Sequence, residues 1–306
     1  MWTAKRTKRR RRRPTLLGAV CLVSLACSLP VSAATEVDLK LVLATDVSRS
    51  IDDEEMQLER QGTADAFASP DVIQAIQRGT LGRIAVVVFD FSSPEFDKVV
   101  VDWQIIHDRA SAMAFAERVR AAPRSLGQRT SVSGALEMGG ELLETSDKDF
   151  MSARKVIDVS GDGPNNSGNP MTEVHERTIA KGIVVNGLPV MDEMANGYFP
   201  DLDKYYAACV AGGQGSFVTI VRSYKDYAAA MRHKLVLEIS WNDPHVRPAK
   251  IEPAKDRLLF KIAAVPMPAT PKILRPGANE FSQNCDIQGG GGFGGFGPFP
   301  NFNRGN

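Results

Sequence analysis

The chain predicts an α/β fold in which a doubly wound, mostly parallel sheet is flanked by helices, with a short antiparallel strand at an edge. Three observations predict it. Apolar runs of strand length alternate with amphipathic stretches of helix length. Some of those runs are apolar on both faces, as strands covered on both sides must be. The turns that leave two of them gather Asp, Ser and Gly, and parallel sheets bind ligands beyond the C-terminal ends of their strands.

The elements follow in order. Val37 to Thr45 is the first strand. Asp52 to Ala68, with Met56, Leu58 and Phe67 among charges, is a helix. Arg83 to Phe91 is apolar enough to be a central strand, whereas Lys98 to Ile106 alternates and suits an edge. Ser111–Ala121 and Ser133–Leu143 are helical, and Lys155–Ser160 is the fourth strand. Glu173–Lys181 is a helix stopped by Gly182, which opens a fifth strand running to Leu188. A helix at Leu202–Val210, a short strand at Ser216–Val221 and a closing helix at Tyr224–Ile239 complete the pattern.

The two ends of the chain differ from this body. Residues 1–34 carry eight Lys/Arg and no acid, then an apolar stretch from Leu16 to Leu29 and the small residues Ser32-Ala33-Ala34. This is the pattern of a signal peptide cleaved after Ala33 or Ala34, and the apolar stretch is short for a spanning helix. Export to the periplasm or the medium is the expected location, with membrane attachment only through an uncleaved leader. With those eight of the 37 bases removed, 29 face 36 acids, so the mature chain lacks the basic surplus of a nucleic-acid binder. The expected mature domain spans 35–241. Residues 242–288 form a Pro-rich extension, in which Leu258–Val265 could be a strand, and 289–306 a Gly/Phe-rich tail too poor in core residues to fold alone. Cys209 and Cys285 remain after the leader; an exported pair can bridge, but spacing does not show that these two meet. No Cys/His cluster suggests zinc.

The chemistry concentrates in three loops. Asp46-Val47-Ser48-Arg49-Ser50 leaves the first strand with a carboxylate and two hydroxyls two residues apart. Such hard oxygen donors suit Mg²⁺, Mn²⁺ or Ca²⁺. Gly127-Gln128-Arg129-Thr130-Ser131 leads into a helix, and Ser160-Gly161-Asp162-Gly163-Pro164-Asn165-Asn166 follows the fourth strand. Singly, each has a plain reading: Asp46 as a cap for the helix near Ile51, Thr130 or Ser131 as the cap of the next, Asp162-Gly163 as a turn. An EF-hand is excluded, because Ile51 stands where that loop needs Gly and Gln57 where it needs Glu.

Asp46-x-Ser48-x-Ser50, Thr130 and Asp162-Gly163, in that order on alternating strands and helices, resemble the metal-ion-dependent adhesion site of a von Willebrand factor A (VWA) domain over Val37–Ile239. Val159–Asn166, Ile183–Pro189 and Tyr205–Gly213 further resemble a family of exported bacterial VWA-like proteins of unknown function. The resemblance implies a Rossmann-like sheet with Mg²⁺ (or Mn²⁺ or Ca²⁺) at its upper edge. Ser48, Ser50 and Thr130 would bind the cation directly, and Asp46 and Asp162 mostly through water. Neutral hydroxyl ligands leave a cation electrophilic, so the implied act is capture of a carboxylate on a protein partner, without catalysis. Two alternatives stand beside it. One is a metal-stabilised scaffold with no such partner. The other is a hydrolase using Ser48 or Ser160 with His175 or His107, though the chain lacks a G-x-S-x-G elbow and a second His after His175-Glu176.

Overall fold

The computed structural model describes residues 1–2, 33–191, 199–240, 273–274 and 285–286. The chain divides into two compact units, Met1–Ala33 and Ala34–Asn306, and every element below belongs to the second. The expected leader's basic and apolar stretches, the Leu258–Val265 strand and the Gly/Phe-rich tail lie outside the described residues.

Seven strands form the main sheet. They are β2 (Leu39–Asp46), β3 (Ile84–Phe91), β4 (Asp97–Ile106), β6 (Lys155–Gly161), β7 (Val184–Pro189), β8 (Val218–Thr219) and β9 (Ile273–Leu274). Two further strands, β1 (Thr35–Glu36) and β5 (Phe150–Met151), pair beside it. The sheet order is β4-β3-β2-β6-β7-β8-β9. The five inner strands are parallel, and β4 and β9 close the two edges antiparallel. The fold class is therefore the expected VWA-like one. The edge strand read at Lys98–Ile106 is antiparallel and the longest of the sheet, at ten residues, and a short antiparallel edge is β9.

The helices are α1 (Asp53–Ala68), α2 (Pro70–Gln77), α3 (Arg109–Ala121), α4 (Val132–Thr145), α5 (Met171–Ala180), α6 (Leu202–Tyr205) and α7 (Tyr227–Ile239). Strand alternation decides their layers. Leu39, Leu41 and Leu43 of β2 join Val86 and Val88 of β3 against Phe67, Ile76, Phe115, Tyr227 and Leu235 from α1, α2, α3 and α7. Val42 and Ala44 point to the opposite face, with Val87 and Phe89, against α4, α5 and α6. All eight residues of β2 are buried, as a central strand between two helical layers requires. Among the described residues no helix is long and apolar enough to cross a membrane.

Three features depart from the sequence reading or complete it. Helix α2 was not expected; Ser69 ends α1 and its hydroxyl caps α2, with Pro70 in the first turn. The strand expected at 216–221 keeps only Val218–Thr219 in the sheet. Cys209 and Cys285 are bridged, with Cα atoms 5.5 Å apart, which resolves a pairing that sequence left open. The bridge, the β8–β9 pairing and a hydrogen bond from Thr172 N to Asp286 Oδ1 (3.1 Å) bring part of the 242–288 extension onto the domain.

Candidate metal centre

The order of strands reverses between β2 and β6, since the chain winds outward through β3 on one side and β7 on the other. Their loops diverge there and leave a crevice at the C-terminal sheet edge. Thr45 pairs with Ser160, so Asp46 and Gly161 end the two strands side by side.

Asp46 is fully buried, and its Oδ1 accepts a hydrogen bond from Ser48 N at 2.8 Å. That short turn lifts Ser48 and Ser50 above the strand end, with their Oγ atoms 3.2 Å apart. Ser50 Oγ donates to Asp162 Oδ1 at 2.9 Å. Four of the five expected residues thus form one hydrogen-bonded chain across the crevice. Thr130 arrives from the third loop, and its Oγ1 lies 3.5 Å from the point a Cβ on Gly163 would occupy. The plain readings of Asp46 and Thr130 are taken by their neighbours. Asp52 caps α1 through a reciprocal pair with Glu55, and Ser131 Oγ accepts from Gly134 N to cap α4.

Residues outside the expected set hold these loops. Asn166 Oδ1 accepts from Thr130 N and Asn166 N donates to Thr130 O, both at 2.9 Å. Asn165 Oδ1 accepts from Ser133 N at 3.0 Å. The post-β6 loop is therefore stitched to the entrance of α4. Ser92, beyond β3, accepts from Gln128 N at 2.9 Å and donates to Arg129 O at 2.5 Å. Gly127 is required there, because a Cβ would stand 1.9 Å from Ser92 Oγ. The Asn-Asn pair was visible in the sequence as part of the loop motif. Ser92 had no local signal, because its role depends on a partner some 36 residues away.

The electrostatics are those of crowded acid. Burial, then repulsion from Asp162, raises the Asp46 carboxyl well above its usual range. Burial also raises Asp162, opposed by the Ser50 hydrogen bond. Beneath them Glu59, pushed up to about 7 by burial, accepts from Ser160 Oγ at 2.5 Å and Tyr227 Oη at 3.0 Å. Arg60 pairs with the buried Asp90. Glu59 in turn repels Asp46, while Arg60 and Asp90 act on Glu59 with opposite signs. Asp46 Oδ2 and Asp162 Oδ2 are buried without hydrogen-bond partners among the described residues. Two unsatisfied carboxylate oxygens beside three hydroxyls are a donor set that fits a hard divalent cation. Among the described residues no three His, Cys, Asp or Glu side chains form a metal cluster.

The histidines of the hydrolase alternative sit elsewhere. His175 packs its ring on Gly212, where a Cβ would come within 2.2 Å of Nε2. His107 lies exposed beside Asp108 at 3.7 Å. Ser160 Oγ is committed to Glu59. A cavity of about 380 Å³ opens at the opposite pole of the sheet between Arg154, Val184, Phe217 and Glu238, away from the five residues.

A family described as "Protein of unknown function (DUF1194)" matches residues 36–243. No curated protein matches the chain. Solved structures similar to it include the pilus adhesin SpaC from Lactobacillus rhamnosus GG, with 14% identity over 67% of this chain and 31% of that one (TM-score 0.49). Proximal thread matrix protein 1 from the mussel byssus, with a zinc-occupied MIDAS motif, has 16% identity over 68% of this chain and 49% of that one (TM-score 0.47). A von Willebrand factor type A protein from Catenulispora acidiphila has 17% identity over 66% and 43% (TM-score 0.45). The chain spans about a third to a half of the length of these proteins.

Proposed function

The chain belongs to the DUF1194 family, and we propose that its VWA-like domain binds a divalent cation at Asp46, Ser48, Ser50, Thr130 and Asp162 and through it captures an acidic group on a protein partner. One observation carries this reading: Asp46 and Asp162 each bond to the Ser48–Ser50 turn through Oδ1, while the buried Oδ2 of each has no hydrogen-bond partner among the described residues. A bound cation supplies the missing positive charge and, ringed largely by neutral hydroxyls, an electrophilic position for an outside carboxylate. The chain's own residues do the rest. Asp46 and Asp162 hold the charge, Ser48, Ser50 and Thr130 supply neutral donors, and Asn166 and Ser92 keep the Thr130 loop in place. Arg49 and Arg129 stand exposed next to those donors and suit an acidic partner.

The cation is Mg²⁺, or Mn²⁺ or Ca²⁺ in its place, and the protein acts by binding, without catalysis. The Cys209–Cys285 bridge supports an oxidising compartment, in keeping with export through the 1–34 leader to the periplasm or beyond. Calorimetric titration with each cation tests the centre, and absence of heat and of any thermal shift with all three would overturn it. Partner capture from the exporting compartment, with and without EDTA, tests the adhesion step. Capture unaffected by EDTA and by Asp162→Ala would leave the cation a structural role alone.

A further inference from the structure

Tyr206 is buried at the junction where α6 widens into a π-turn, Tyr206–Val210, closed by a hydrogen bond from Ala211 N to Tyr206 O at 2.8 Å. Such single wide turns re-aim side chains and recur at functional sites. Two glycines on adjacent strands make room for this one. On β7, a Cβ at Gly187 would stand 2.7 Å from Tyr206 Cδ1, so the ring lies directly over the strand backbone. At the end of β6, a Cβ at Gly161 would stand 2.9 Å from Tyr206 Oη and 2.9 Å from Asp46 Oδ2. The phenol and the unsatisfied carboxylate oxygen therefore close on the same glycine, whose missing side chain lets both approach the strand end. Neither oxygen has a hydrogen-bond partner among the described residues.

We propose that Tyr206 is a positioning residue of the metal centre: its hydroxyl faces Asp46 Oδ2 over Gly161 as that oxygen's polar neighbour, and so fixes the carboxylate that carries the centre's charge. The proposal rests on the cation reading above. It adds a sixth side chain, which reaches the centre from the opposite end of the domain sequence. Outer partners of this kind orient ligands and typically change metal affinity by about 10–100-fold when removed. Tyr206→Phe separates this role from plain packing, because the ring stays on Gly187 and only the hydroxyl goes.

The test is titration of the full chain with Mg²⁺ and Mn²⁺, alongside thermal melts in EDTA. Tyr206→Phe is expected to lose about 10-fold or more in affinity. Its melting temperature in EDTA should stay close to that of the unaltered protein, since the ring keeps its packing on Gly187. Gly161→Ala, whose Cβ would force the phenol and the carboxylate apart while keeping Tyr206, should weaken binding in the same direction. If the unaltered protein binds and Tyr206→Phe matches it within twofold, the tyrosine role fails and the cation reading stands. If the unaltered protein takes up neither cation, both fail.

Discussion

Two clusters of buried acid lie on this sheet, and they are resolved differently. At the face under α7, Lys234 sits against Asp158 of β6 and, at 3.1 Å, against Glu238 one turn along. Asn186 donates to Glu238 Oε1 at 3.0 Å. Burial pulls the lysine toward its neutral form, but Asp158 and Glu238 outweigh it and hold the ammonium. At the β2–β6 edge, Asp46 and Asp162 repel each other, and among the described residues neither is paired with a lysine or arginine. The first cluster is answered from within the chain, and it fixes the register of a helix on the sheet. The second is left open toward a crevice, so whatever answers it comes from outside.

Breaking the closed cluster should have the largest effect. Lys234→Met keeps the stem but leaves two buried acids face to face, and urea unfolding should show a loss of about 3–5 kcal/mol. Added Mg²⁺ should not restore it beyond its effect on the unaltered protein. The next effect is a pH slope. Glu59, raised from 4.5 to about 7 by burial, binds its proton more tightly folded than unfolded. Stability without metal should therefore be full below pH 4.5 and fall by about 3 kcal/mol as pH rises through 7, where the folded group ionises. Glu59→Gln should flatten that part of the curve in pH-dependent melts.

Breaking the open cluster should have the opposite sign. Asp162→Asn removes a charge that repels Asp46, so stability in EDTA should hold or rise by about 1 kcal/mol, while calorimetric cation binding is lost. A clear loss of stability in EDTA would mean that the two clusters are alike after all. The smallest effect is expected at the rim. Arg49→Ala with Arg129→Ala should leave stability within about 0.5 kcal/mol and cation affinity unchanged. Partner association should slow several-fold and lose part of its salt dependence in surface-binding kinetics.

The open cluster was the more legible of the two. Asp46, Ser48 and Ser50 are near one another in sequence, and their spacing alone exposes the donor type. Thr130 and Asp162 were reachable because both follow elements whose pattern is plain. Asp158 and Lys234, by contrast, read as one more strand residue and one more helix residue. Nothing local says that they meet across 76 positions or that both are buried. Tyr206 was hidden for the same reason, since its place depends on two glycines of other strands. Helix α2 carried its own signal, Ser69-Pro70, but its eight residues blended into the connection before β3. The cysteines gave a count without a pairing.

The disulfide also decides how the molecule bears load. Covalently, a pull applied beyond Cys285 passes through the bridge to Cys209 and on toward the N-terminus. Residues 210–284, which include β8, α7 and β9, then form a closed loop that tension bypasses. The last helix, with its buried Lys234, is shielded from stretching. Force enters instead at Cys209 within the π-turn, three residues after Tyr206.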